Sequence, residues 1–98
     1  MIINKYLLSQ EADFDLEEIF EYTQAEFGLS QAVKYLNEID DVFVKLIDSP
    51  QIGRTRNEIK NGLYSFPVGK HIVFYRILIG HINIVRVLYC VKDLTRNF

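Results

Sequence analysis

The sequence predicts an α+β fold: an N-terminal strand, then an antiparallel helical hairpin packed on a small, mainly antiparallel sheet, in the order β-α-α-β-β-β. Three observations carry this. Apolar residues recur at helical spacing between Ser9 and Ser49, only Gly28-Leu29 separates the two helical patterns, and three β-rich runs crowd residues 63–90. With 98 residues, 49% hydrophobic and 13% aromatic, the chain can build one compact core but not two, so residues 1–98 read as a single domain.

"IINKYLL" alternates loosely and is rich in β-formers, which makes it the first strand. Ser9 offers a helix N-cap, and Glu11 and Asp13 suit the positive end of the helix dipole. Leu16, Ile19, Phe20, Thr23 and Phe27 then form the inner face, and Gly28 ends the helix. The second helix starts at Ser30 and buries Val33, Leu36, Ile39, Phe43, Leu46 and Ile47. It stops at Ser49-Pro50, because the residue before proline avoids α geometry. So short a link leaves the helices to pack as a hairpin.

After a loop, "SPQIGRTRNEIKNG", come "LYSFPV", "KHIVFYRILI" and "INIVRVLYC". Gly80-His81 reads as a two-residue hairpin loop, which pairs Ile79 with Ile82. One face then carries His71, Val73, Tyr75, Ile77 and Ile79 against Cys90, Leu88, Arg86, Ile84 and Ile82. The other carries Ile72, Phe74, Arg76 and Leu78 against Tyr89, Val87, Val85 and Asn83. Both faces are mostly apolar, each broken by one arginine, whereas a sheet with one wet face alternates apolar with polar. The hairpin covers one face only, so the other must be covered by unassigned chain or by a partner. "VKDLTRNF" adds at most a short helical turn.

The longest apolar run, "HIVFYRILIG", is interrupted by Arg76 and falls far short of the roughly 20 residues of a membrane helix. The stretch "MIINKYLLSQEADFDLEE" lacks a sustained apolar run ending in a small-residue cleavage site, so secretion is not expected; a single cysteine forms no internal disulfide, and neither Cys90 nor the two histidines show metal-ligand spacing. A cytoplasmic location without metal or cofactor is expected. The net charge of −2 hides an asymmetry: residues 1–49 hold three Lys/Arg against eleven Asp/Glu (net −8), and residues 50–98 eight against two (net +6). The basic half could attract acidic partners, or it could simply neutralise well-solvated acidic helices.

In order, the chain reads DL-x-x-I from Asp15, P-x-I-G-x-x-R from Pro50, G-L-x-S-F-x-V-G-x-H-x-x-F-Y-R from Gly62 and I-x-R-V-L from Ile84. That succession, over nearly the whole chain, resembles the ParE toxins of bacterial toxin–antitoxin pairs. The resemblance implies the fold of the RelE/ParE superfamily, inhibition of DNA gyrase, and a cognate antitoxin that wraps the toxin in a hetero-oligomer. The positions matching the family pattern are Arg54, Arg56, Glu58, Gly62, Ser65, Phe66, His71, Phe74, Tyr75, Arg76, Arg86 and Leu88. Tyr89 stands where family members often carry histidine. Partner contacts are expected at Arg54, Arg56, Glu58, His71, Tyr75, Arg76, Arg86 and Tyr89.

The superfamily's RelE-like branch cleaves messenger RNA on the ribosome, which needs an acid, a base and cations for the phosphate. Glu58, His71 and Lys60 could supply acid or base, with Arg54, Arg56, Arg76 and Arg86 as cations. The register nevertheless places His71 and Arg86 on one face and Arg76 on the other. Glu58 beside Arg54 and Arg56 also reads as a loop ion pair, and His71 as a structural histidine. Arg86 could pair with a carboxylate such as Asp15. An acidic hairpin would be repelled by a ribosome. A gyrase-directed toxin without catalytic residues and without specific nucleic-acid binding is therefore expected, with a RelE-like endoribonuclease as the alternative and a non-enzymatic interaction domain as a second alternative.

Overall fold

The computed structural model describes residues 2–91 and residue 98. A strand β1 (Lys5–Leu8) is followed by helices α1 (Gln10–Phe27) and α2 (Leu29–Asp48), then β2 (Arg54–Thr55), β3 (Leu63–Val68), β4 (His71–Leu78) and β5 (His81–Tyr89). The sheet order is β1-β5-β4-β3-β2; β1 runs parallel to β5, and every other pair is antiparallel.

The helix ends follow local chemistry. Ser9 caps α1 by accepting from the Ala12 amide at 3.0 Å, while its hydroxyl donates to the Val85 carbonyl at 2.7 Å and so ties the helix start to β5. Gly28, at φ +92°, closes α1 with its amide on the Gln24 carbonyl and opens α2 with its own carbonyl on the Ala32 amide. One residue thus serves both helices, and α2 starts at Leu29 rather than Ser30. Its end at Ser49-Pro50 is as the sequence predicts, and a short 3-10 turn, Pro50–Ile52, follows.

The buried stripe of α1 is Ala12, Asp15, Ile19 and Thr23, and that of α2 is Ala32, Ile39, Phe43 and Leu46. Phe27 and Val33, expected inside, are exposed, because the stripes are rotated slightly from the expected ones. Against Ile19, Ile39, Phe43 and Leu46 the sheet presents Val73, Tyr75, Ile82, Ile84 and Val87, and this is the main core.

The hairpin register differs from the expected one. The loop residues are Ile79 and Gly80, with Leu78 paired to His81 and Ile77 to Ile82. Positive φ falls only on Gly80, at +79°, the second loop residue, as a type II turn requires. The slip preserves which side chains share a face near the turn. Further along, Tyr75 pairs with Ile84 but Phe74 with Arg86, which leaves Val85 as an extra residue in a β-bulge. His71 accordingly faces Tyr89, not Cys90.

The back face of the sheet buries Leu63, Phe74 and Leu88 beneath Ile59 of the 56–62 loop and Phe98, whose ring stands edge-on to Phe74 at 4.9 Å. The chain itself therefore covers the second apolar face. The short helical turn expected from "VKDLTRNF" falls on residues 92–97, outside the described residues.

Candidate functional site

The expected site residues separate into three places. On the helix side, His71 lies beside Tyr35 of α2 and Tyr89 of β5, with ring centroids 5.5 Å and 5.7 Å away. The Tyr35 hydroxyl is 2.6 Å from His71 Nδ1, accepts from the Lys70 amide at 3.2 Å and reaches the Val68 carbonyl at 3.2 Å. Burial raises the Tyr35 pKa, so the hydroxyl keeps its proton at neutral pH. This cluster forms one end of a groove of about 860 Å³ between the helices and the sheet, where Tyr22, Phe27 and Tyr89 are exposed and Glu18, Glu38 and Lys70 add charge.

Asp15, which lines the same groove, accepts from Arg86 Nε and Nη2 on its two carboxylate oxygens at 2.8 Å and 2.9 Å, and the Val87 amide donates to the same carboxylate at 3.0 Å. The Asp15 hydrogen bond raises the Arg86 pKa further. Bidentate geometry, a backbone donor and burial of both side chains identify this as an internal strut from α1 to β5. The β-bulge re-aims Arg86 toward α1, although its register partner, Phe74, lies on the back face.

The remaining residues lie at or near the back face. Arg54 pairs across β2 with Ser65, and Ser65 with Phe74; Arg76 pairs with Leu63. Arg56 donates to Glu58 at 2.8 Å and to Ser65 Oγ at 3.3 Å, and its guanidinium sits 5.9 Å from the Phe74 ring centre. The Arg56 hydrogen bond holds the exposed Glu58 carboxyl below its usual pKa. Tyr75, by contrast, is completely buried. Its hydroxyl donates to the Pro50 carbonyl at 2.7 Å and accepts from the Gly53 amide at 3.0 Å, which anchors the segment leading into β2. Tyr75 offers no surface to a partner.

Sequence reasoning missed Tyr35, Lys70, Tyr22 and Glu38 as groove residues. A signal was present for Tyr35: positions 32, 35, 39, 43 and 46 make a better helical stripe than one begun at Val33. Among the described residues, no three His, Cys, Asp or Glu side chains gather as a metal site, and no helix is long and apolar enough to cross a membrane.

The model of the "ParE toxin of type II toxin-antitoxin system, parDE" matches residues 6–94. The chain belongs to the ParE toxin family. Toxin ParE1 of Mycobacterium tuberculosis (strain H37Rv) is 39% identical over 95 residues, 96% of this chain and 97% of that protein. Toxin ParE1 of Caulobacter vibrioides is 31% identical over 84 residues, 86% of each chain. In the solved chromosomal ParDE TA system from P. aeruginosa, a chain superposes with a TM-score of 0.77 at 18% identity, covering 90% of this chain and 96% of that one. That likeness concerns the ParE-family fold: a helical hairpin on one face of a five-stranded sheet.

Proposed function

We propose that this ParE-family toxin inhibits DNA gyrase by stoichiometric binding, without catalysis, and is neutralised by a cognate antitoxin. The observation that carries the non-catalytic reading is the separation of the two best acid–base candidates. Glu58 is bound to Arg56 on the back-face side, while His71 is engaged by Tyr35 on the helix side, across the sheet. General acid–base catalysis needs both groups within hydrogen-bond reach of one substrate. Family membership supports gyrase as the target and an antitoxin as the partner. The groove suits an amphipathic segment of that antitoxin, since it sets exposed Tyr22, Phe27 and Tyr89 beside charged Glu18, Glu38 and Lys70.

The test is gyrase supercoiling and cleavage-complex accumulation against increasing protein. Inhibition is expected to saturate near one toxin per gyrase site, to survive Glu58→Gln and His71→Gln, and to be reversed by the antitoxin. Codon-dependent cleavage of messenger RNA in a translating extract, or no effect on gyrase from folded protein in excess, would overturn the proposal.

A further inference from the structure

We propose that the back face of the sheet, at the corner built by β2, β3, β4 and the 56–62 loop, holds the phosphodiester backbone of a nucleic-acid duplex. Register places the cations there. Arg54 is level with Ser65 and Phe74, and Arg76 is level with Leu63, so both stand on the face whose apolar floor is Leu63 and Phe74. The loop carrying Lys60 folds onto the same face, because Ile59 packs on that floor. Among the described residues the ion pairs are Arg56–Glu58 and Arg86–Asp15. Glu58 also feels the charge of Arg54, so one carboxylate stands against Arg54, Arg56, Lys60 and Arg76 at this corner and the balance is positive.

The spacing fits a duplex. Arg54 and Arg76 lie two strands apart and two residues apart along the strand, on the order of 12 Å between backbones. That matches the roughly 12 Å width of the major groove in B-form DNA, so each can meet a phosphate on one rim. Single strands are held by stacking on exposed aromatic rings. Here Phe74 is fully buried, whereas the exposed rings of Phe14, Tyr22, Phe27 and Tyr89 belong to the helices or the groove. An acidic peptide would need an apolar pocket for an anchor residue. That position is already filled by Ile59 and Phe98 over Leu63, Phe74 and Leu88.

The helices do not cancel this field. They pack on the opposite face of the sheet, and Glu58, the carboxylate of the 56–62 loop, is held by Arg56. Three cations and no helix or ribbon to enter a groove make this a contact with the phosphate backbone, which positions a duplex without reading its bases. This surface is independent of the gyrase assignment.

The experiment is fluorescence anisotropy of the full chain with labelled 20-base-pair DNA and RNA duplexes, a single-stranded dT oligomer and a polyglutamate peptide, from 50 to 200 mM salt. Three phosphate contacts predict a slope of log K against log salt of about −2.7 and dissociation constants in the roughly 10⁻⁴–10⁻⁶ M range of non-specific binding. Arg54→Gln with Arg76→Gln should bring the slope to about −0.9 and, for affinities that converge near 1 M salt, weaken binding about 200-fold at 50 mM. Arg54→Gln alone, at an exposed site, should remove about a third of the slope. Lys34→Gln on α2 should change neither. The ratio of DNA to RNA binding identifies the natural duplex. No duplex binding at 50 mM salt, equal loss in Lys34→Gln, or tighter binding of dT or polyglutamate would overturn the proposal.

Discussion

Replacing Asp15 with alanine should be the most damaging single change to this fold that leaves the apolar core intact. Asp15 accepts both Arg86 donors and the Val87 amide, and the side chains of Asp15 and Arg86 are only 10% and 16% exposed. Removing the carboxylate takes two hydrogen bonds from a part-buried guanidinium and the acceptor from the Val87 amide, a loss of about 3–5 kcal/mol for a broken buried pair. Near 4 kcal/mol, a domain of this size should melt roughly 16–32 °C lower. Stabilities of about 5–15 kcal/mol keep the variant measurable in urea. Arg86→Ala should cost less, because Asp15 keeps the Val87 amide as a donor, and the double variant should cost less than the two single losses together. Urea unfolding of all four proteins closes the cycle, with a coupling expected at about 2–3 kcal/mol. A loss below about 1 kcal/mol for Asp15→Ala at unchanged m-value would show that solvent screens the pair as at an ordinary surface, and would refute the strut.

Three further outcomes are expected. Tyr75→Phe should lower stability by about 2 kcal/mol, since it orphans the Pro50 carbonyl and the Gly53 amide; an unchanged urea midpoint would contradict the anchoring of β2. Gly69→Ala should destabilise twice over, through strain at φ +55° and through collision of the new Cβ with the Tyr35 ring, and Tyr35→Ala should relieve the second part in a double variant. The hydrogen bond from Tyr6 to Asp40 pushes the Tyr6 pKa up to about 12 from 10.0. The folded chain therefore holds that proton more tightly than the unfolded chain, and its contribution is full below pH 10 and is lost as pH rises toward 12. Between pH 10 and 11.5 the urea midpoint should fall more steeply for the parent chain than for Tyr6→Phe; parallel slopes would refute this.

Features that depend on a few consecutive residues were legible in the sequence, apart from the opening of α2 by Gly28: the Ser9 cap, Gly28 as the end of α1, the stop at Ser49-Pro50, the order of elements and the hairpin of helices. Each of these is settled by hydrogen bonds spanning four residues or fewer, so the local string contains the answer. The alternation of the strands likewise determined that both sheet faces are apolar, and the Asp15–Arg86 pairing was within reach because the two residues lie on facing apolar patterns. The tertiary structure alone decided the register, the bulge at Val85, the parallel pairing of β1 with β5, and the cover of the back face by Ile59 and Phe98. A period of two specifies which side chains share a face but not which residues pair, and a single inserted residue changes both beyond that point. Whether Glu58 and His71 meet, and whether Tyr35 closes on His71, depends on distances between segments far apart in sequence, which packing of the helical layer sets.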